Sequence, residues 1–229
     1  MRPGRRLLGA GEASDVPTRW QIERHRVLGE GVVSDYVDDV VVTPTGDRMH
    51  RQYLLHPGAV AVIALDEQDR VVVVRQYRHP VGYQLIEPPA GLLDADGESW
   101  LTAAQRELAE EAMLAADDWR LLIDMFTSPG CNSESIRFFL ARGLREVPRP
   151  DGFVVEHEEL DMEICLIALD DLLDGIYAGR VQSPTMVAGI LALEAARLGG
   201  RLDGLRPAES AWPARQVREG QLEAIAELD

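Results

Sequence analysis

The chain has 229 residues, enough for one substantial hydrophobic core, and 46% of them are apolar, which argues against a disordered chain. Its formal net charge of −16 argues against a nucleic-acid-binding protein with a basic face. With two cysteines in no metal-binding spacing, a disulfide framework is not expected and the cytoplasm is the predicted location, and no apolar run reaches the ~20 residues of a membrane span.

The N-terminal part of the chain predicts a flexible tail followed by a small sheet. Residues 1–17 carry arginines ahead of a short apolar patch that acidic residues soon interrupt, which favours a frayed tail over a signal peptide. Residues 18–55 contain short apolar runs, and Gly46-Asp47 between two of them predicts a hairpin turn. We therefore expect a small antiparallel β subdomain over residues 18–55.

The middle of the chain predicts strands on either side of one helix. Residues 60–65 and 71–76 are apolar runs rich in β-branched side chains, and the short polar segment between them predicts a buried hairpin. A helix is predicted over residues 99–113, from the spacing of its apolar residues. Further strands are predicted at residues 121–126, 136–141 and 162–169.

The C-terminal part of the chain predicts helices. Residues 169–178 have helical periodicity, and Ser183 is placed as the N-cap of a longer helix with Pro184 at its first position. The tail over residues 201–229 contains a weak last helix, to which no role is assigned. Together with the strands, these helices predict an α/β protein with a mixed sheet between helical layers, whose main domain covers residues 56–200.

Three glutamates of the predicted helix suggest a metal site. At about 100° per residue, Glu107 and Glu111 lie about 40° apart at the border of the apolar stripe, whereas Glu110 points nearly opposite to that stripe. Two partly buried carboxylates one turn apart repel each other, and a hard divalent cation would remove that repulsion. A solvated acidic helix face is the alternative interpretation of the three glutamates taken alone.

The surroundings of these glutamates resemble the box of the Nudix hydrolases. In that box a glycine, five residues, a glutamate and seven residues precede the motif Arg-Glu-aliphatic-x-Glu-Glu-x-Gly-aliphatic. Gly91 matches the leading glycine, Glu98 the first glutamate and Arg106 the arginine, with seven residues between the last two. The chain departs from the pattern twice, because six residues separate Gly91 from Glu98 and Met113 stands where the pattern has its last glycine. The resemblance implies the Nudix fold, an α/β/α sandwich with a mixed sheet.

The resemblance also implies a metal cofactor and its ligands. The expected ion is Mg²⁺, with Mn²⁺ as a substitute, and the expected ligands are Glu107, Glu111 and the carbonyl of Ala90, with Glu110 further out. Ala90 follows two prolines, so the carbonyls of that segment are expected to lack a strand partner, although a plain rigid turn is the alternative. Arg106 is implied to orient the metal ligands, and a surface ion pair is the alternative for this residue.

Three further segments are similar to those of the ADP-ribose pyrophosphatases, particularly the bacterial ones. A Ser-Pro-Gly loop places Pro129 and Gly130 at the offset from the box that these enzymes show, although alone it would predict only a β-turn. The strand that contains Arg78 and the Glu-x-Pro-Ala-Gly segment that begins at Glu87 also resemble theirs. The resemblance marks Pro129 and Gly130 as substrate-binding residues. It implies that Arg78 and Arg51 contact the diphosphate or the adenine, and that Glu87 accepts hydrogen bonds from the adenine or the ribose.

The base that would activate the attacking water is expected outside the helix, in the acidic segment 156–161. The resemblance implies that a glutamate of this segment takes the proton. Glu159 aligns best and Glu158 is the alternative, because the alignment of a loop slips easily by one residue. His157 is a third candidate, since a histidine can accept a proton at neutral pH. A solvated acidic loop is the structural alternative.

The expected activity is Mg²⁺-dependent hydrolysis of ADP-ribose, or of a close nucleoside-diphosphate sugar, to AMP and ribose 5-phosphate. The alternatives are hydrolysis of another nucleoside diphosphate compound and a Nudix-like sensor that binds ADP-ribose without cleaving it. The complete glutamate triplet argues against the sensor. The resemblance also implies a homodimer formed through residues 18–55, in which Arg51 reaches the substrate pocket of the other subunit. A small molecule is the expected partner, and neither a nucleic acid nor a membrane is expected.

Overall fold

The computed structural model of the chain describes residues 6–93, 97–150 and 162–228. Over these ranges the chain forms three β-sheets and four α-helices. The strands are β1 (Gln21–Gly29), β2 (Asp35–Val42), β3 (Arg48–Leu55), β4 (Ala59–Ala64), β5 (Arg70–Arg78), β6 (Tyr83–Glu87), β7 (Ala90–Leu92), β8 (Leu114–Phe126), β9 (Ser135–Glu146), β10 (Glu163–Ala168) and β11 (Arg206–Pro207). The helices are α1 (Trp100–Ala112), α2 (Leu169–Tyr177), α3 (Pro184–Leu198) and α4 (Pro213–Ala226). None of these helices is long and apolar enough to cross a bilayer.

The N-terminal sheet contains β1, β2 and β3 in sequential antiparallel order, so the small antiparallel sheet predicted within residues 18–55 is confirmed. The predicted turn between its last two strands is also present. Gly46 lies in that turn with a φ of 88°, a conformation that glycine adopts without a steric penalty.

The main domain contains a mixed sheet, as the sequence predicts. Five strands lie in the order β11-β8-β9-β4-β7, in which β4 is parallel to β9 and the other neighbours are antiparallel. A second, antiparallel sheet has the order β10-β5-β6.

The hairpin predicted from residues 60–65 and 71–76 is wrong. These runs are β4 and β5, which belong to different sheets and meet only at an isolated bridge between Leu65 and Val71. Strand β4 and the run Val71–Val74 of β5 are buried on both faces. A continuously apolar strand gives no alternation from which its partner could be inferred, so the short connection between the two strands suggested a pairing that does not form.

Strand β4 divides the hydrophobic core into two layers. On one face Val60 and Val62 belong to a cluster with Leu108 of α1. On the other face Ile63 belongs to a cluster with Ile190 of α3, which also includes buried residues of α2. The mixed sheet therefore lies between α1 and the pair α2 and α3, which confirms the α/β/α sandwich.

The C-terminal tail, to which the sequence analysis assigns no role, packs against this sandwich. Trp212 is buried, and its ring meets that of Trp100 at the start of α1 with 5.4 Å between the centroids. The guanidinium of Arg137 lies 4.8 Å and 4.7 Å from the centres of these two rings and donates hydrogen bonds to the carbonyls of Ser210 and Ala211. The tail is thus attached to the layer that contains α1.

Candidate active site

Helix α1 has a fixed orientation because its start is capped and its apolar side is buried. Ser99 is the N-cap, and its hydroxyl accepts a hydrogen bond of 3.1 Å from the backbone N–H of Thr102. Leu108 is fully buried in the core. The predicted range 99–113 therefore matches α1 with its two capping residues, and the faces of the helix can be assigned directly.

Met113 ends α1 in the conformation that a glycine would normally supply. Its φ and ψ are 55° and 39°, in the left-handed region, and its N–H donates to the carbonyl of Ala109 at 3.1 Å. A side chain in this region costs about 1–2 kcal/mol relative to glycine. Met113 therefore preserves the turn that the glycine of the box would form, but it adds strain to the backbone. The other departure, the longer segment between Gly91 and Glu98, includes residues 94–96, which lie outside the described ranges.

The glutamates of α1 lie close to the core. Glu107 and Glu111 are buried, at 9% and 8% exposure, in agreement with the predicted position beside the apolar stripe. Glu110 is less enclosed, but its side chain is only slightly more exposed than that of Glu107, 15% against 12%. The difference in exposure between Glu107 and Glu110 is smaller than the helical wheel implies, because Arg106 folds over both carboxylates.

Arg106 connects three of the carboxylates. Its Nε and one terminal nitrogen donate to the two oxygens of Glu98 at 3.0 Å and 3.1 Å, a bidentate pair. Its other terminal nitrogen donates to Oε1 of Glu107 at 2.7 Å and to Oε2 of Glu110 at 2.9 Å. These bonds raise the pKa of Arg106, with the hydrogen bond to Glu98 as the largest cause. The surface-pair alternative therefore does not describe Arg106, which holds the acidic groups in one arrangement.

Gly91 of β7 lies directly against Glu107. A Cβ atom built on Gly91 would stand 1.9 Å from Oε1 of Glu107, far inside the contact distance. A side chain at this position would push the Glu107 carboxylate away from β7, so a glycine here keeps the carboxylate in place. The backbone of β7 and the buried carboxylate therefore form one wall of the candidate site.

Ala90 contacts the second buried carboxylate through its backbone. Its N–H donates to Oε2 of Glu111 at 2.9 Å. Ala90 stands opposite Ala61 of β4, and the neighbouring ladder bond joins the N–H of Val62 to the carbonyl of Pro89 at 2.8 Å. At this ladder position the N–H and the carbonyl of Ala90 both face away from β4, and the N–H meets Glu111. The expectation that this whole segment lacks strand partners is wrong for Pro89, since β7 is short but regular.

The electrostatics of this site favour a bound cation. Burial raises the pKa of Glu107 to about 7, and the charge of Glu110 adds to this effect, whereas Arg106 opposes it. Within the described ranges, no three His, Cys, Asp or Glu side chains already converge on one metal position. The donors are nevertheless those of a hard divalent ion, namely carboxylate oxygens and the carbonyl of Ala90. The residues present therefore fit the implied Mg²⁺.

Arg78 and Glu87 form a second group. Arg78 donates from Nε at 2.9 Å and from a terminal nitrogen at 2.7 Å to Oε2 of the buried Glu87. The hydroxyl of Ser183 lies 3.3 Å from the other oxygen of Glu87. Ser183 is the N-cap of α3, as predicted, but its side chain makes no capping bond. No local pattern in the sequence reveals this contact, because it joins residues far apart in the chain.

Arg51, Pro129 and Gly130 line one cavity of about 250 Å³, together with Gln221 of α4. The structure therefore brings three of the predicted substrate-binding residues together. It does not place them with the carboxylates of α1, none of which is among the described residues that line this cavity. Gln221 carries no signal in the sequence that would have selected it.

The predicted bases Glu158 and Glu159, and His157 as the third candidate, lie in the segment 151–161, outside the described residues. The residues just before that segment approach α1, because Nε of Arg149 donates to the carbonyl of Glu110 at 2.9 Å. Arg149 is a further contact of the glutamate helix that the sequence pattern did not reveal.

Both the sequence and the fold of the chain are similar to those of known proteins. A sequence model of the family described as NUDIX domain matches residues 55–184. The chain is 40% identical over 185 residues to the ADP-ribose pyrophosphatase of Mycobacterium tuberculosis, which covers 81% of this chain and 87% of that protein. It is 35% identical over 168 residues to the methanol dehydrogenase activator of Bacillus methanolicus, which covers 73% of this chain and 88% of that protein. A solved structure described as ADP compounds hydrolase has a similar fold, with a TM-score of 0.66 at 20% identity over 82% of this chain and all of that chain.

Proposed function

Because the chain belongs to the NUDIX domain family, we propose that it hydrolyses the diphosphate of ADP-ribose, releasing AMP and ribose 5-phosphate. The likeness to an ADP-ribose pyrophosphatase over most of both chains supports this substrate. The observation that carries the proposal is the set of carboxylates on α1, because Arg106 holds Glu107 and Glu110 while the β7 backbone holds Glu111. A solvated acidic helix would have neither the burial nor these partners.

Glu107, Glu111 and the Ala90 carbonyl would hold the divalent ion, with Glu110 as a further ligand. The proposed ion is Mg²⁺, for which Mn²⁺ would substitute. Bound there, the ion would neutralise the diphosphate and lower the pKa of a bound water. Arg106 would keep the carboxylates in position through its bidentate pair with Glu98.

The substrate would be bound by residues from two places in the fold. Arg78 would contact the diphosphate or the adenine, and its bonds to Glu87 hold both side chains in place before substrate arrives. Arg51, Pro129 and Gly130 already share a cavity. Glu87 would accept hydrogen bonds from the adenine or the ribose. Glu159 would accept the proton of the attacking water, with Glu158 as the alternative.

We propose further that the protein is a homodimer formed through β1, β2 and β3, with Arg51 completing the site of the other subunit. The N-terminal sheet has three strands, and so small a sheet must pack against something to be stable. The alternative is a site within one chain, since Arg51 lines a cavity with Pro129 and Gly130 of its own chain. A cytoplasmic location is proposed from the two cysteines, which form no disulfide in the structure.

The activity is tested by incubating the protein with Mg²⁺ and a panel of ADP-ribose, a sugar nucleotide and a dinucleotide, with the products separated by chromatography. We expect AMP and ribose 5-phosphate from ADP-ribose at the highest kcat/KM of the panel. If another compound of the panel is hydrolysed with a higher kcat/KM, that compound would become the assigned substrate and the proposed reaction would stand. Binding of ADP-ribose without turnover, at any Mg²⁺ or Mn²⁺ concentration, would favour the sensor and refute the hydrolase.

The shared site is tested by mixing two inactive variants. Arg51→Ala removes the contact from one side and Glu111→Gln removes the metal ligand from the other. A mixed dimer has one site in which both residues are intact, so activity should return when the variants are unfolded and refolded together. A mixture that stays inactive, although light scattering shows dimers, would place the whole site within one chain.

A further inference from the structure

A second large cavity lies between α4, the segment before β1 and the loop that joins β8 to β9. Its volume is about 420 Å³, within the range of small-molecule sites. Its walls are mainly apolar and include Val16, Phe126, Pro129 and Val217. No glutamate of α1 is among the described residues that line it. The cavity is therefore distinct from the proposed metal site.

Arg218 of α4 is the basic residue among the described residues that line this cavity. Its Nε is buried and has no hydrogen-bond partner within the described part of the chain. Arg215 lies one turn earlier and differs, because it donates to the carbonyl of Pro57 and pairs with Glu219 at 3.3 Å. A buried donor without a partner costs about 1–3 kcal/mol, so α4 leaves an unsatisfied cation at the wall of an apolar cavity.

The charges near Arg218 leave it available to an anion. Burial lowers the pKa of Arg218, the neighbouring Arg215 lowers it further, and Glu219 opposes the shift only in part. Asp15 lines the same cavity, but it is exposed and forms no ion pair with Arg218 in the described ranges. In a chain with a net charge of −16, an arginine that faces a cavity without a carboxylate partner marks a place where an anion would be attracted.

We propose that this cavity binds a small organic anion with an apolar body. The charged group would pair with the guanidinium of Arg218, whose donors match the oxygens of a carboxylate, phosphate or sulfonate. The body of the ligand would lie against Phe126, Pro129 and Val217. Helix α4 lies beyond residues 55–184, the range that matches the family. The cavity adjoins the one that Arg51 lines and shares Pro129 and Gln221 with it, but of the two cavities Val217 and Arg218 line only this one.

Two fluorescent probes with the same kind of apolar body test the proposal on the full chain. Anilinonaphthalene sulfonate carries one negative charge, and phenylnaphthylamine carries none. We expect the charged probe to bind at a single saturable site. Arg218→Gln should weaken that binding about tenfold, because a charge-assisted hydrogen bond is lost, and should change the affinity of the neutral probe by less than about twofold.

Two more variants complete the test. Arg180→Gln is the matched control, since Arg180 is exposed and absent from the lining of the cavity, and it should leave both affinities unchanged. Val217→Phe should weaken both probes, because the larger side chain fills the cavity. Equal loss of the charged probe in Arg180→Gln and Arg218→Gln would show a general charge effect and overturn the proposal. Unchanged binding of both probes in Val217→Phe would place them elsewhere and would also overturn it. Circular dichroism confirms that each variant is folded.

Discussion

At the scale of single residues, the glutamates of α1 are distinguished by their partners more than by their exposure. Glu107 contacts β7 and Arg106, Glu111 accepts from the Ala90 backbone, and Glu110 is bonded to Arg106. We expect Glu107→Gln and Glu111→Gln each to lower kcat at least ~10²-fold, because a neutral amide is a poor ligand for Mg²⁺. Glu110→Gln should lower it less. Turnover at saturating Mg²⁺ measures the three effects, and near-native activity in Glu111→Gln would contradict the ligand assignment.

Gly91 offers a test that leaves every charged group in place. In Gly91→Ala the new Cβ would overlap the Glu107 carboxylate, which must move away from β7. We expect the Mg²⁺ concentration for half-maximal activity to rise at least about tenfold, while the protein stays folded. Gly29→Ala is the control, since a Cβ at Gly29 meets no atom within 4 Å. If Gly91→Ala keeps the metal dependence of the unaltered chain, the contact between Gly91 and Glu107 does not position a ligand.

The base is a residue-scale prediction that rests on the sequence resemblance. Glu159→Gln should keep KM and lower kcat ~10²–10⁴-fold, the usual contribution of proton acceptance. The acidic limb of its pH–rate profile should also change. Glu158→Gln is the matched control, because it removes the same charge one position earlier. Loss of rate in Glu158→Gln alone would assign the base to Glu158.

At the scale of elements, the end of α1 shows how one residue can depart from a motif and leave its geometry intact. Met113 adopts the left-handed conformation that a glycine would take at lower cost. We expect Met113→Gly to raise the free energy of unfolding by about 1 kcal/mol, as the relieved strain exceeds the added flexibility of the unfolded chain. Denaturant unfolding measures the change. Met113→Ala keeps a Cβ and should give no gain, so equal stabilisation by both variants would rule out backbone strain as the cause.

Some properties of these elements are set by residues that are neighbours in the sequence, and others are set by residues far away in it. The bounds of α1 could be predicted because Ser99 and the apolar spacing act within a few residues of each other. The partners of β4 and β5 could not, since the apolar runs Ala59–Ala64 and Val71–Val74 show no alternation and part of the pairing is with distant residues, as in Ala59 with Ile136. Ser183 is an intermediate case. Its position before α3 followed from Pro184, but its bond to Glu87 depends on how the layers pack.

At the scale of the whole molecule, the buried Arg137 joins β9 to the C-terminal tail. It pairs with Asp124 at 2.7 Å and 3.1 Å and bonds two carbonyls of the tail. We expect Arg137→Met to lower the free energy of unfolding by about 3 kcal/mol, because it removes a buried charged donor from Asp124 and from two carbonyls of the tail. The loss is read from the midpoint of urea unfolding, and it should be accompanied by a change in tryptophan fluorescence, since Trp100 and Trp212 flank the guanidinium.

Arg142→Met is the matched control for Arg137→Met. Arg142 also makes a two-nitrogen contact to an aspartate, Asp118, but its side chain is about one-third exposed. An exposed pair contributes about 0.2–1 kcal/mol, so the control should lose little stability. If the two variants lose the same amount, burial is not the reason for the effect at Arg137.

The sequence by itself determined the family, the layer architecture, the N-terminal sheet and the helix that carries the glutamates. These features depend on residue spacing within short segments, where helical periodicity, capping and turn chemistry act locally. Only the tertiary structure decided that Arg106 holds several carboxylates at once, that Gly91 lies directly against the Glu107 carboxylate, and that α4 brings Arg218 to an apolar cavity. The partners of Arg106 are near it in the chain, but which of them its side chain reaches depends on three-dimensional packing. The cavity of Arg218 joins segments far apart in the chain, and no local pattern of residues specifies the burial there.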